Sequence, residues 1–399
     1  MIKCEFHFLN DRNKLKMKQI IIRPIIVVLG SLFFSFTPNR KLHQDTNPYF
    51  FTIKKGIETL EWGERDDKKV YLYTLTNKHG MQVKITNYGC ILTAWIAPDK
   101  NGNKSNIVLG FDSLERYTPA VPYFGAVVGR YGNRIAKGQF TLDGTAYKLA
   151  TNNGPNHLHG GNKGFDKRVW DVLPIDKNKP SLTLHYLSKD GEEGYPGNLD
   201  ITVKYTLTDN DELVIEYNAT TDKATPVNLT NHSYFNLTGD VRNTILNHML
   251  WIDADNYTPM DNTSIPTGEI KQVKGTPFDF TSPHKVGDRI DSVRNGYDNN
   301  FVLNKKSNVL KRVAYVFDSS SGRKLDVYTT EPGLQFYTGN FLNPSLKTSS
   351  GQSINRRTAL CLETQHFPNS PNQPNFPNTV LRPGEKFHSV TKYKLSVNK

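Results

Sequence analysis

A glutamate ends one of the most apolar segments of this chain, at Glu363 in ALCLETQHFP (359–368). Burying an unpaired carboxylate costs free energy, so Glu363 is expected to have charged partners or a chemical task. The alternative is a carboxylate that only caps the end of a strand. The Pro- and Asn-rich run that follows, 368–377, predicts an ordered or lid-like loop beside this carboxylate.

A histidine occupies a comparable position in TPVNLTNHSYFNL (225–237). In one continuous strand, alternate residues from Asn228 to Asn236 would share a face, with His232 at its centre. A solvent-exposed face would account for the Asn and Thr residues of this segment, but it accounts less well for His232 and Tyr234. The segment therefore predicts a polar surface that contains a titratable group.

A second histidine segment, NHLHGG (156–161), would place His157 and His159 on one face of an extended chain. Three interpretations stay open here: a sugar-binding pair, a pair of metal ligands, or ordinary hydrogen-bonded histidines. His-x-His lacks a third ligand at a recognisable spacing, and no Cys-x-x-Cys pattern occurs. We therefore predict no metal site.

Three further polar positions interrupt strand-like sequence. The glycines of GRYGNRI (129–135) indicate close backbone approach or positive φ, although a tight turn with surface arginines would also explain them. Asp298 in GYDNNF and Gln335 in GLQFY would, taken singly, be a turn residue and a strand residue.

Taken together and in order, these segments resemble the aldose 1-epimerase (galactose mutarotase) family, over nearly the whole chain from about Lys54 onward. The matching motifs are NRI (133–135), LHGG (158–161), NHSYFNL (231–237), YD (297–298), LQFY (334–337) and LETQ (362–365). The resemblance implies a large β-sandwich with a sugar cleft, in which Glu363 is the general base and His232 the general acid. It implies substrate binding by Asn133, Arg134, His159, Asp298 and Gln335.

The implied reaction interconverts the α and β anomers of a free aldose of the galactose or glucose type. The base takes the proton of O1 while the acid protonates the ring oxygen, and the opened ring rotates about C1–C2 and closes on its other face. Reference pKa values of about 4.3 for Glu and about 6.5 for His favour a carboxylate base and a protonated imidazole acid. No cofactor is needed, and the expected partner is a small free sugar, bound by a monomer or homodimer.

Three other functions remain open at this point. A sugar-binding module without turnover would be expected to lack the acid or the base. A glycosidase would need two carboxylates flanking the bond, such as Asp298 and Glu363. An epimerase of sugar phosphates would need an arginine cluster for the phosphate.

The elements that must position these residues are strands. Val70–Leu75 is rich in β-branched and aromatic residues, and 81–85 alternates apolar with polar residues. Two hairpins are predicted, one joining 201–207 to 213–217 and one joining 313–317 to 325–328. No long helical periodicity occurs, so we predict an all-β fold, a large antiparallel β-sandwich with few short helices, over 54–399.

Composition narrows the partners and the compartment. The net charge of +12 is dispersed outside the N-terminus, with no basic stripe interleaved with aromatics, so we predict no nucleic-acid partner. Cys90 and Cys361 lie in apolar strand-like contexts and are expected to be buried free thiols, whereas Cys4 precedes the fold.

The N-terminal segment, 1–53, predicts export. Basic residues precede an apolar run over 20–36, which Arg23 and Pro24 interrupt, and Met17 is an alternative start. This order is typical of a secretory signal. Export to a bacterial periplasm is expected, with an uncleaved membrane anchor at 20–36 or a cytoplasmic protein as the alternatives.

Overall fold

The computed structural model describes residues 54–118, 121–306 and 308–398. The predicted export segment and Cys4 lie outside the described residues, and the domain boundary after residue 53 stays a prediction. Within the described ranges, no helix is long and apolar enough to cross a bilayer.

The described residues form short strands separated by turns, as the alternation of β-branched and aromatic residues with polar ones predicts. The first fourteen strands are β1 (Gly56–Arg65), β2 (Lys68–Thr76), β3 (Gln82–Thr86), β4 (Leu92–Pro98), β5 (Lys104–Asn106), β6 (Val127–Val128), β7 (Arg134–Ile135), β8 (Gln139–Leu142), β9 (Thr145–Lys148), β10 (His157–Leu158), β11 (Asp171–Val172), β12 (Ser181–Ser188), β13 (Leu199–Leu207) and β14 (Glu212–Thr221). The next fourteen are β15 (Thr225–Pro226), β16 (Thr230–Asn231), β17 (Tyr234–Phe235), β18 (Met249–Ile252), β19 (Asn256–Tyr257), β20 (Lys271–Gln272), β21 (His284–Lys285), β22 (Asp298–Val302), β23 (Lys311–Phe317), β24 (Arg323–Thr329), β25 (Gly333–Tyr337), β26 (Leu360–Gln365), β27 (Val380–Leu381) and β28 (Phe387–Val397).

Helical structure in the described ranges is limited to single 3-10 turns. They cover Leu114–Tyr117, Ala136–Gly138, Phe165–Lys167, Glu192–Gly194, Ile245–Asn247, Ile290–Ser292 and Ser370–Asn372. The all-β fold with few short helices is therefore confirmed, and so are both predicted hairpins, as β13–β14 and β23–β24.

Two large antiparallel sheets form the sandwich. The larger has the strand order β11-β12-β13-β14-β28-β24-β23-β18-β21, and the smaller has the order β17-β26-β25-β22-β19-β20. A five-stranded sheet, β1 to β5 in chain order, contributes its apolar face to the same core. Tyr393 of β28 donates its hydroxyl proton to the Leu362 carbonyl of β26 (2.9 Å), so the two large sheets contact each other directly.

Strand alternation on β25 and β26 separates the core from the other face of the smaller sheet. Leu360 and Leu362 of β26, with Leu334 and Phe336 of β25, point into the apolar core. Fully burying one such side chain contributes about 1.5–3 kcal/mol. The intervening residues, including Glu363, therefore point away from the core on the opposite face.

One buried arginine fixes the loop that leads to β7. Arg130 donates hydrogen bonds to the carbonyls of Ser188, Pro196 and Gly197 and to the Thr225 hydroxyl. Burial lowers the pKa of Arg130 to about 10, so it stays charged at neutral pH. The alternative of surface arginines is wrong for this residue, since its side chain holds the loop in place.

Candidate active site

Six of the seven residues predicted for the site line one cleft of about 610 Å³ on the polar face of the smaller sheet. They are Asn133, Arg134, His159, His232, Asp298 and Glu363. The seventh, Gln335, lies beside the cleft and donates a hydrogen bond from Nε2 to Asp298 Oδ1 (2.8 Å). Residues separated by more than 200 positions in the chain thus meet in one concave surface.

Antiparallel register explains how the carboxylate enters this cleft. Glu363 on β26 pairs with Gln335 on β25, which in turn pairs with Asn300 on β22. Glu363 is 2% exposed, and its Oε2 atom has no hydrogen-bond partner among the described residues. Burial raises the pKa of Glu363 well above its usual value, Asp298 raises it further, and Arg134 lowers it.

His232 faces Glu363 across the cleft. Its Nε2 atom lies 3.7 Å from Glu363 Oε2, and both side chains are buried. Burial lowers the pKa of His232 to about 4. Burial thus favours the neutral forms of both Glu363 and His232. Reference pKa values predict a carboxylate beside an imidazolium, but this charged pair is not the favoured state in the buried cleft. The favoured state at neutral pH is therefore a protonated Glu363 beside a neutral His232, with one proton on the pair.

Two further residues of the cleft, Arg134 and Asp298, carry hydrogen-bonding groups. Arg134 Nη1 lies 3.9 Å from Asp298 Oδ2, and its Nε donates to Asn153 Oδ1 (3.1 Å). Asp298 also accepts the hydrogen bond from Gln335 described above. Both ends of the Arg134–Asp298 pair remain accessible from the cleft, so they can bind hydroxyl groups of a ligand.

Backbone geometry sets the tautomer of His159. The Asn133 N–H donates to His159 Nδ1 (3.1 Å), so Nδ1 carries the lone pair and the proton of the neutral ring is on Nε2. Both residues have positive φ, 64° at Asn133 and 50° at His159. Burial, reinforced by the nearby His232, lowers the pKa of His159 well below its usual value, so the ring is a neutral hydrogen-bond donor.

The same geometry tests whether the cleft suits a metal ion. One ligand atom each of His159, His232 and Glu363 lies within 4.8 Å of the others, as a two-histidine, one-carboxylate site would require. Binding through Nε2 of His159 would move the proton to Nδ1, which would then face the N–H of Asn133. Two donors would oppose each other, so the donor set does not fit a metal ion.

Aromatic residues that sequence reasoning missed complete the walls. The Tyr123 ring lies 4.6 Å from that of His159 and 5.8 Å from that of His232, measured between centroids. Hydrogen bonds between the backbone of 125–126 and His232 hold the Tyr123 loop in place. Tyr234, Tyr337 and the 64% exposed Phe341 also line the cleft. In the sequence nothing distinguishes Tyr123 and Phe341 from core residues, whereas Tyr234 lies in the polar segment 225–237 and Tyr337 in the LQFY motif.

Two local predictions were wrong. His157 does not share a face with His159, because positive φ at His159 turns the chain, and His157 instead accepts a hydrogen bond from the Tyr195 hydroxyl (2.6 Å). The segment 225–237 is not one strand but three short ones, β15 to β17. Asn228 and Asn236 bind backbone carbonyls there, and the solvent-exposed alternative is excluded because the whole segment is buried.

The free thiols predicted from the sequence are confirmed. Cys90 and Cys361 are both buried and unpaired within the described residues. Cys361 lies on β26, two residues before Glu363, and its sulfur is 3.5 Å from Nδ1 of His232.

Several known proteins are similar to this chain over most of its length. The sequence model of the family described as aldose 1-epimerase matches residues 71–394. A galactose mutarotase from Bos taurus is 51% identical over 318 residues, 79% of this chain and 92% of the relative. An aldose 1-epimerase from Escherichia coli K12 is 40% identical over 335 residues, 82% of this chain and 96% of the relative. The crystal structure of galactose 1-epimerase from Lactobacillus acidophilus has a TM-score of 0.76 at 30% identity, covering 86% of this chain and 99% of that one.

Proposed function

Because this chain belongs to the aldose 1-epimerase family, we propose that Glu363 and His232 are the base and the acid of its reaction. The chain is a carbohydrate isomerase that interconverts the anomers of aldoses. The residue roles and a preference for galactose- or glucose-type sugars are the proposed part. The observation that carries them is the buried contact between His232 Nε2 and Glu363 Oε2 at 3.7 Å.

The proposed reaction moves two protons and breaks one bond. Glu363 removes the proton from O1, the O1–C1 bond becomes the aldehyde carbonyl, and the C1–O5 bond breaks. His232 gives its proton to O5. Rotation about C1–C2 and the reverse steps close the ring on the other face, and both residues regain their starting protonation. Because O1 and O5 are bonded to the same carbon, acid and base must be neighbours, as these two residues are.

The single proton on the pair fits this scheme. The reaction requires one proton on the pair, held by His232 when the sugar hydroxyl approaches Glu363. The Glu363 carboxylate is a strong base because burial raises its pKa, and His232 is a strong acid once protonated because burial lowers its pKa. General acid and general base catalysis each contribute about 10²–10⁴-fold to such reactions.

The remaining residues are proposed to hold the sugar through hydroxyls distant from C1. The open-chain aldehyde must not leave during the rotation, so binding cannot depend on the anomeric centre. Arg134 and Asp298 offer a donor and an acceptor in the same cleft, and Gln335 donates a hydrogen bond to Asp298. His159 offers a neutral N–H beside His232.

The other candidate functions fit the cleft less well. A sugar phosphate would need a cationic cluster, but the cleft lining includes one arginine, Arg134, which already faces Asp298. A glycosidase would need a second carboxylate free to act on the bond, and one oxygen of Asp298 already accepts a hydrogen bond from Gln335 Nε2. A module that only binds sugar does not require an acid and a base in contact, as His232 and Glu363 are in this cleft.

Polarimetry tests the proposal. Freshly dissolved α-D-galactose and α-D-glucose should approach their unchanged equilibrium rotations faster with the protein than without it. Acceleration with α-D-glucose 6-phosphate but not with the free sugars would favour the sugar-phosphate alternative. No acceleration with any of the three would refute the assigned roles.

We also propose that the segment 1–53 directs export. Its basic start and apolar run over 20–36 support this, and those residues lie outside the described part of the chain. N-terminal sequencing of the protein recovered from a periplasmic extract would test it. Recovery of the intact chain in the cytosol alone would contradict it.

A further inference from the structure

Two tyrosine rings stack against the ring of His232. Tyr123 and Tyr234 stack on it with ring centroids at 5.8 Å and 5.0 Å and interplanar angles of 23° and 21°. These stacks fix the plane of the imidazole but not its rotation within that plane. The groups at the two ring nitrogens must therefore set which edge faces the sugar.

Those groups come from one strand. Nε2 faces Glu363 Oε2 at 3.7 Å, and Nδ1 lies 3.5 Å from the sulfur of Cys361. Cys361 and Glu363 are two residues apart on β26, so both side chains project from the same face. Cys361 is fully buried between Tyr234 of β17 and Tyr337 of β25, its neighbours in register.

The chemistry of a thiol differs from that of the usual partner of a catalytic histidine. A carboxylate or carbonyl at the second nitrogen orients the ring but also makes it more basic. A thiol is a weak donor and a weak acceptor, so it can accompany the ring in either protonation state. Burial raises the pKa of Cys361 well above its usual value, so the sulfur brings no negative charge to His232.

We propose that Cys361 is a positioning residue, whose neutral thiol orients the His232 ring toward the sugar without adding a charge beside it. This inference rests on the proposed role of His232 as general acid. In this proposal β26 carries both the base, Glu363, and the residue that orients the acid, Cys361. A displacement of β26 therefore moves these two side chains together.

The other titratable groups around His232 remain in place when Cys361 is changed. They are Glu363 on β26, His159 after β10, Tyr123 in the loop before β6, Tyr234 on β17 and Tyr337 on β25. Changes in the titration of His232 in Cys361 variants can therefore be assigned to the residue at 361.

Three variants separate orientation, charge and packing. Cys361→Ser keeps a small hydrogen-bonding group, Cys361→Ala removes it, and Cys361→Asp adds a carboxylate. Cys90→Ala is the matched control, because Cys90 is an equally buried free thiol away from the cleft. Each variant is followed by the pH dependence of kcat and KM and by histidine ¹³C NMR, which reads the pKa of His232 without turnover.

Cys361→Asp should raise the pKa of His232 by about 1–3 units, as an opposite charge within 4–6 Å does. Cys361→Ala should lower kcat several-fold with little change in KM, and Cys361→Ser should restore most of it. The control should leave kcat and the titration unchanged. The Ala and Ser pair decides the question if Cys361→Asp does not fold.

The proposal is overturned if Cys361→Ala keeps the wild-type kcat and pH profile. It is equally overturned if the alanine and serine variants lose the same activity while His232 titrates as in the wild type, since that pattern indicates packing alone. A failure of the proposed function would give a different result. If His232 is not the general acid, His232→Gln keeps full activity, while the NMR titration of the Cys361 variants still shows the contact between Cys361 and His232.

Discussion

Replacing Glu363 by glutamine should inactivate the enzyme and stabilise it at the same time. The amide has nearly the same volume as the carboxyl group, so the 2% exposed side chain keeps its place on β26. Loss of the general base should lower kcat by about 10²–10⁴-fold. KM should change little, because the proposed sugar anchors, Arg134 and Asp298, are untouched.

The stability gain follows from the sign of the pKa shift. The folded-state pKa of Glu363 is raised, so the folded protein retains a proton that the unfolded chain releases above about pH 4.5. Stability is therefore lost as pH rises from that value through the folded-state pKa. Glu363→Gln has no such proton to release, so it removes this loss, which is about 1.4 kcal/mol for each pH unit above pH 4.5 until the folded-state pKa is reached. The Tm should rise by at least about 2 °C.

A second buried carboxylate supplies the control. Glu331 is 3% exposed, but it accepts a hydrogen bond from His366 Nδ1 (2.6 Å), and that partner contributes to lowering its pKa. Glu331→Gln should destabilise the protein by up to about 3–5 kcal/mol, because it breaks a buried pair. Glu331 lies outside the cleft lining, so activity measured below the Tm should persist.

The assay is polarimetry on α-D-galactose, with thermal unfolding of wild type and both variants at pH 5 and pH 8. The Tm gain of Glu363→Gln should be larger at pH 8. A folded Glu363→Gln variant that keeps more than a tenth of wild-type kcat would refute the role of Glu363. A loss of stability comparable to that of Glu331→Gln would refute the claim that its carboxylate is strained.

Further predictions concern the same cleft. His232→Gln should abolish activity. It should also remove about 3 kcal/mol of destabilisation between pH 6.5 and 4, because in that range the unfolded chain binds a proton at this histidine and the folded protein does not. Measuring the Tm as a function of pH checks this, and His248→Gln, at a similarly buried histidine, is a control that should remain active. Asp298→Asn should raise KM and shift the acidic limb of kcat/KM to lower pH, because Asp298 raises the pKa of Glu363. Tyr123→Leu should lower kcat, and it should raise the pKa of His232 because water can then reach the imidazole. A histidine NMR titration would show this rise, and an unchanged pKa of His232 would contradict the prediction.

The strands and the polar clusters could be predicted from sequence because both depend on local spacing. Alternation identified β13, β14, β23 and β24, and the apolar context of Glu363 indicated a buried carboxylate. Residue spacing alone did not decide whether Glu363 caps a strand or takes part in catalysis, or whether His159 binds a sugar or a metal ion. The resemblance to a family then assigned a role to each.

The rest depends on long-range contacts and on single backbone angles. Because His159 has a positive φ, its side chain does not share a face with that of His157. A histidine at that position does not by itself predict such a turn. Tyr123 reaches both histidines only because β6 pairs with β16, more than 100 residues later. The pKa shifts of Glu363 and His232 also arise from burial in the assembled cleft, so reference values predicted the wrong favoured charge state.

The place of β28 in the large sheet has a consequence for biosynthesis. Among the described strands, this one lies between β14 and β24 and pairs with both, so it joins the two halves of that sheet. A ribosome makes it after every other described strand, so the facing edges of β14 and β24 stay unpaired until β28 has been made. Such edges are sites of aggregation. Nascent chains should therefore depend on chaperones until β28 has been made, and catalytic activity should appear only after β28 has left the ribosome.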